Sequence, residues 1–210
     1  MNEGLPLINS VSAEGGASGS LEALKSALPE LVASCRDSIK IEVSLGDLQV
    51  WIPRSSQRDF LSVLRKDPRC DFDMFISVTA IDWMDSREER YEVIYHLLSL
   101  SQGLRIRVRV FVPESDASLE SVQDIWAGAN FMEREVWDMY GVAFKGHPDL
   151  RRILMYDEFK GHPLRKDYPV QGKQPRIPLR APEVRNTAVD MKRSELVTIG
   201  RRLSPAPSAK

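Results

Sequence analysis

Between Phe131 and Asp167 the chain gathers the side chains whose types and spacing can do chemistry. The run Phe131-Met132-Glu133-Arg134-Glu135-Val136-Trp137-Asp138-Met139-Tyr140-Gly141 sets four charges among six large apolar residues. On a helix Arg134 and Asp138, four apart, share one face, while Met132, Val136, Met139 and Tyr140 make an apolar stripe. Glu135 and Asp138, three apart, would converge as a general acid/base pair. Paired carboxylates of that kind serve a nucleophile or a metal, and none stands beside them. The favoured reading is an intrahelical ion-pair lattice that orders the helix end and docks it.

Two near-echoes follow: Gly146-His147-Pro148-Asp149-Leu150-Arg151-Arg152 and Gly161-His162-Pro163-Leu164-Arg165-Lys166-Asp167. With Asp149 or Asp157, the two histidines would make an acceptable zinc ligand set. Each histidine, however, precedes a proline and sits off any helix, so no HxxxH geometry fixes the ligands. Turn-forming histidines bonded to backbone or to a partner fit better. His96, alone on a strand, reads as structural. The basic pairs Arg151-Arg152 and Arg165-Lys166 each lie near an aspartate, Asp149 and Asp167. Alternating sign favours specific ion pairing over a nucleic-acid grip, which prefers an unbroken positive field. Arginine forks with Tyr156, Phe159 and Tyr168 are the types that anchor protein interfaces.

The elements that must position these residues are read from periodicity and turn chemistry. Leu24, Leu28 and Leu31 lie at helical spacing, with Pro29 expected to kink or split that helix. Alternation at Ile39, Ile41, Val43 and at Leu48, Val50, Ile52, around Gly46-Asp47, predicts a β-hairpin. A short helix carrying Phe60, Leu61 and Leu64 follows, and Asp67-Pro68 stops it. Strands are predicted over 72–81, 91–100 and 104–112, the last two joined tightly enough to be antiparallel neighbours. In the third, Arg105, Arg107 and Arg109 line one face, read as a solvated outer face rather than a phosphate or carboxylate grip. Leu119, Val122, Ile125 and Trp126 predict a helix over 118–127. The chemistry-bearing helix then starts with a capping box, Asn130 with Glu133, and stops at Gly141.

Composition bounds the rest. The 210 residues, 42% hydrophobic and 28% charged, suit one domain with an appended segment. Net charge is −1, but residues 144–210 hold 15 basic against 7 acidic residues, and residues 1–143 hold 14 against 23. Prolines and arginines crowd the basic end, which lacks the apolar density to bury itself and so is expected to lie across a partner. Cys35 and Cys70 cannot supply four thiolates for an iron–sulfur cluster or Cys₄ zinc site, and no CxxC pair occurs. A reducing compartment is expected. The longest charge-free apolar stretch, residues 74–81, falls far short of the roughly 20 needed to span a bilayer. No export signal is legible at the start, and Gly15 to Gly19 lack the Lys-Ser/Thr of a phosphate loop. The expected fold is α+β: a mixed, largely antiparallel sheet with helices mainly on one face and an extended Pro/Arg-rich C-terminal arm. Its parts are a disordered leader over 1–19, the α+β domain over 20–143 and a docking arm over 144–210, disordered from about 204.

Three blocks together resemble a known signature: Glu133 to Gly141, His147 to Leu154, and Gly161 to Pro169, in that order. They resemble the 30 kDa subunit family of respiratory complex I, whose bacterial members belong to the proton-pumping NADH:quinone oxidoreductase. Tyr140 and Tyr168 stand where phenylalanine is as readily expected, a change that adds only a hydroxyl. The resemblance implies a peripheral-arm subunit on the cytoplasmic side of the bacterial inner membrane, reaching the membrane only through the complex. It implies no flavin, cluster or metal in this chain, although the assembly uses FMN, iron–sulfur clusters, NADH and quinone. It implies contact with the quinone-site subunit of the 49 kDa type, and with neighbouring peripheral-arm subunits. Carried over as docking rather than catalytic residues are Glu133, Arg134, Glu135, Asp138, Tyr140, Gly141, His147, Pro148, Asp149, Arg151, Arg152, Gly161, His162, Pro163, Arg165, Lys166 and Asp167. Related modules of membrane-bound hydrogenases and the photosynthetic type I dehydrogenase share that resemblance. From other classes, a zinc hydrolase on His147 and His162 and a nucleic-acid module on the basic arm are the rivals. Stacking aromatics are missing beside Arg105 to Arg109, which weighs against the second.

Overall fold

The computed structural model describes residues 16–31, 39–44 and 47–175. The flexible leader expected over 1–19 lies outside them as far as residue 15, and Gly16 already opens α1 (Gly16–Leu31). That helix runs through Pro29 without splitting and buries Leu24 and Leu28. The alternating stretches form β1 (Lys40–Ser44) and β2 (Asp47–Ile52), antiparallel with Ile41 opposite Val50. After a short 3₁₀ turn, α2 (Gln57–Lys66) buries Phe60, Leu61 and Leu64, and Asp67 before Pro68 turns extended and ends it.

Next come β3 (Met74–Asp82), β4 (Tyr91–Ser99) and β5 (Leu104–Val112). They complete a five-stranded sheet of order β1-β2-β5-β4-β3, antiparallel except where β2 runs parallel to β5. Strand alternation sends Val50, Val108, Tyr95 and Val78 to one face, where they meet Leu28 of α1 and Phe60 of α2 in a common core. Full burial of each such side chain stabilises the fold by about 1.5–3 kcal/mol. No described helix covers the other face, so the expected α+β architecture with helices on one side is what the chain adopts. There the arginine stripe is only partly solvated: Arg107 pairs with Asp47 at 2.7 Å and Arg109 with Glu92 at 3.2 Å.

The helix expected over 118–127 does not form. Ser118–Glu120 is instead a strand, β6, parallel to β7 (Ala143–Lys145), with a turn from Val122 to Trp126. The helical spacing of Leu119, Val122, Ile125 and Trp126 survives as burial, since a strand followed by a tight turn also brings these four inward. Between β6 and β7 lies α3 (Ala129–Tyr140), closed by Gly141 at φ +83°. From Gly146 to Gln174 the chain runs in turns and irregular backbone, and the described residues through Gln174 form one unit. The tail beyond residue 175, including the stretch from 204 expected to be disordered, lies outside the described residues.

Candidate functional site

At the last turn of α3, Asp138 is wholly buried. Its Oδ1 accepts from Arg152 Nη1 at 2.5 Å, and its Oδ2 accepts the backbone N–H groups of Ile153, Leu154 and Met155 at 3.2, 2.9 and 2.8 Å. A carboxylate near a helix C-terminus is disfavoured by the macrodipole, so these four donors are what hold it there. Burial pushes the acid's pKa up, but the Met155 amide, the Arg152 guanidinium and the amides of Leu154 and Ile153 outweigh burial and hold it below the usual carboxylate range. Arg152 also donates to the carbonyls of Phe159 and Gly161 and lies over the rings of Trp137 and Phe159. One buried ion pair thereby fixes the path of residues 152–161 against α3.

The ion-pair lattice expected within the helix is replaced by these longer-range bonds. Arg134 points its guanidinium at the carbonyls of Arg151 and Arg152, both at 3.1 Å, and does not meet Asp138. Glu135 is exposed, so it does not converge with buried Asp138 as an acid/base pair. Nor is there a capping box: the N-cap is Gly128, without a side-chain cap. Glu133 is fully buried, accepting from Ser121 Oγ at 2.6 Å and from Val122 N–H at 2.8 Å. Burial raises its carboxyl pKa to about 7 despite both donors. The carboxylate reaches the turn after β6, which packs beneath it, in preference to its own helix end.

His162 completes the helix stop. Its Nδ1–H donates to the Asp138 carbonyl at 2.9 Å, and its ring stands edge-on to Trp137. A Cβ on Gly141 would fall 2.7 Å from that ring, so position 141 requires glycine for its φ and for the histidine. His147 is bound at both nitrogens, Nε2–H to the Asn130 carbonyl and Nδ1 from the Asp149 amide, each at 3.1 Å. Among the described residues no three histidine, cysteine, aspartate or glutamate side chains gather in a metal-holding group, so the zinc reading finds no ligand set.

The second echo docks at a node the sequence reading missed. Arg90 is almost buried and binds Asp82 through two bonds of 3.0 Å, Glu114 at 2.5 Å and Asp167 at 2.7 Å. The Lys166 amide donates to Asp82 at 2.8 Å, Arg165 reaches Glu114 at 3.1 Å, and the Leu164 amide bonds the Met139 carbonyl at 3.1 Å. Arg90 holds the Asp167 carboxyl below its usual pKa, and at Asp82 the same guanidinium with the Lys166 and Met84 amides outweighs burial. Asp82 ends β3 and Arg90 immediately precedes β4, so only their flanking of one hairpin loop hinted at the pair. Asp149 pairs with Arg151 at 2.8 Å on the surface, near exposed Pro148. Tyr140 and Pro163 are half-buried, and Gly161, at φ +89°, lies against Tyr168.

With its backbone held from within, the segment turns apolar side chains outward. Leu154 is 57% and Leu164 52% exposed, with Ile153, Val170 and, on α3, Phe131 also exposed. Exposed apolar groups on pinned backbone are what a contact surface needs.

Residues 50–174 match the family model described as the respiratory-chain NADH dehydrogenase 30 Kd subunit. The corresponding NADH-quinone oxidoreductase subunit of Rhodobacter capsulatus is 44% identical over 153 residues, 73% of this chain and 74% of its own length. Its namesake in Paramagnetospirillum magneticum is 43% identical over 154 residues, 72% and 76% of the two chains. A solved trypsin-resistant fragment of Nqo5 is 37% identical with a TM-score of 0.53, covering 60% of this chain and 98% of the fragment. A chain of an archaeal membrane-bound sulfane sulfur reductase shares the fold alone, at 20% identity and a TM-score of 0.60 over 89% of this chain and 95% of that one. Strands β3 to β7, α3 and the pinned segment fall within the matched span, and the chain belongs to the 30 kDa subunit family of the respiratory-chain NADH dehydrogenase.

Proposed function

We propose that this chain is a redox-inert subunit of the proton-translocating NADH:quinone oxidoreductase that docks on and braces the quinone-site subunit of the 49 kDa type. NADH oxidation, quinone reduction and proton translocation belong to the assembly, and the flavin and iron–sulfur clusters to other subunits. The observation that carries this reading is the segment 152–170, fixed internally by Asp138 and Arg90 while Leu154 and Leu164 face outward. Its backbone is already ordered, so docking incurs little further entropy loss. The names of the relatives supply the assembly. Among the described residues no helix is long and apolar enough to cross a membrane, in keeping with attachment through the complex on the cytoplasmic side of the bacterial inner membrane.

The test is to purify the tagged chain from its host membranes in mild detergent. NADH:quinone reductase activity with flavin and iron–sulfur absorbance should accompany it. Recovery of the chain alone would overturn the proposal, and hydrogenase activity in place of NADH oxidation would transfer it to a related membrane complex.

A further inference from the structure

On the sheet face that no described helix covers, a cavity of about 360 Å³ is lined by Ser77, His96, Arg105, Arg107 and Asp47 together with the apolar residues Ile76, Leu97 and Ile106. The register lines up Ser77, His96 and Arg107 on three adjacent strands, so their side chains stand in one row. Ser77 Oγ and His96 Nδ1 are 3.1 Å apart. With the hydroxyl donating to Nδ1, the ring carries its proton on Nε2, which has no protein partner among the described residues. Arg107 uses only Nη2 on Asp47, at 2.7 Å. Arg105 forms no ion pair or hydrogen bond among the described residues. Three groups thus bring unused donors to one cavity whose single carboxylate is already paired.

We infer that this cavity is an anion site for a phosphate-monoester-like dianion, held by Arg105, Arg107 and His96 Nε2–H, with Ser77 fixing the imidazole. Guanidinium forks suit phosphate oxygens, and charge-assisted bonds are the strong ones. The groups facing His96 are Arg107 and Arg109 from β5, with Arg105 of the same strand across the cavity, Asp47 from β2 and Ser77 from β3. Burial and the Arg107 guanidinium, with a smaller push from Arg109, hold the imidazole below its usual pKa, against the opposing pull of Asp47. A bound dianion reverses that balance, so occupancy draws a proton onto His96. Nothing in the proposed docking role uses this face, and the site stands or falls independently of it.

The full chain, with isotope-labelled histidine, is titrated with inorganic phosphate while the His96 ring resonance is followed. The site predicts a saturable shift and a rise in the pH midpoint of His96 with phosphate present. Arg105→Ala should raise the phosphate Kd about tenfold and displace the midpoint rise to correspondingly higher phosphate. Because Arg105 is exposed, that variant reports even where His96→Gln fails to fold. Vesicles of phosphatidylcholine with and without phosphatidate distinguish the sources: a response to phosphate alone assigns a soluble anion, and a response to both admits a lipid headgroup. No saturable phosphate response, or one unchanged in Arg105→Ala, overturns the site whatever the vesicles do.

Discussion

Arg152 and Asp138, fourteen residues apart, form a buried ion pair whose carboxylate also caps three consecutive backbone amides of the segment that Arg152 begins. Removing the acid leaves Arg152 Nη1 and three backbone N–H groups without their acceptor, and the guanidinium without its counter-charge. Asp138→Ala should therefore cost about 3–5 kcal/mol, the range for breaking a buried pair from one side. Denaturant unfolding measures the loss. Limited proteolysis should show new cleavage within 152–161 before the sheet unfolds, and a segment that stays protected would refute the clamp.

Glu133 gives the fold a pH dependence of opposite sign to that of the aspartates. Its folded pKa, about 7, lies above the unfolded value near 4.5, so its contribution is fully present below the unfolded value and lost as pH rises through 7. The loss amounts to about 3 kcal/mol. Glu133→Gln keeps an acceptor for the Val122 amide, and the Ser121 hydroxyl can reverse its role. The variant should match the native chain near pH 5 and exceed it in melting temperature at pH 8. For Asp82, Asp138 and Asp167, whose folded values are lowered, stability is present above the unfolded range and is lost as pH falls through the folded values. Melting temperature against pH separates the two trends, and equal slopes for the native chain and Glu133→Gln between pH 5 and 8 would contradict the first.

Gly141→Ala combines a left-handed backbone, costing about 1–2 kcal/mol for a residue with a Cβ, with a clash against His162. In a double-mutant cycle with His162→Ala the two changes should couple, the second relieving part of the first. Additive losses would mean that the ring does not press on position 141.

The alternations at Ile41, Val50 and Val108 made the sheet legible, and Gly141 marked the helix stop, because strand alternation and a left-handed cap are local signals. What stayed hidden was non-local. β6 needs β7, on the far side of α3, and without that partner the spacing of Leu119, Val122, Ile125 and Trp126 reads as helix. Arg134 stands at the right spacing for Asp138, but the acid turns inward to Arg152, which no local pattern indicates. The Arg90 node escaped for the same reason: its members come from a strand end, the loop before the next strand, a turn and the second echo. The residues singled out at the site were found by their unusual mixture of types. Their burial, which makes several of them fold determinants of this chain, came only with the structure.

The central claim, that this chain contributes a contact surface and no catalytic group, is tested most directly by Leu154→Asp with Leu164→Asp. Both side chains are exposed, so the melting temperature of the isolated chain should not change. Native electrophoresis of membranes with NADH-dependent activity staining measures assembled complex, and the rate per complex is taken from the same bands. The account predicts severalfold less assembled complex, with unchanged turnover in what does assemble. Full assembly with lost turnover would contradict it.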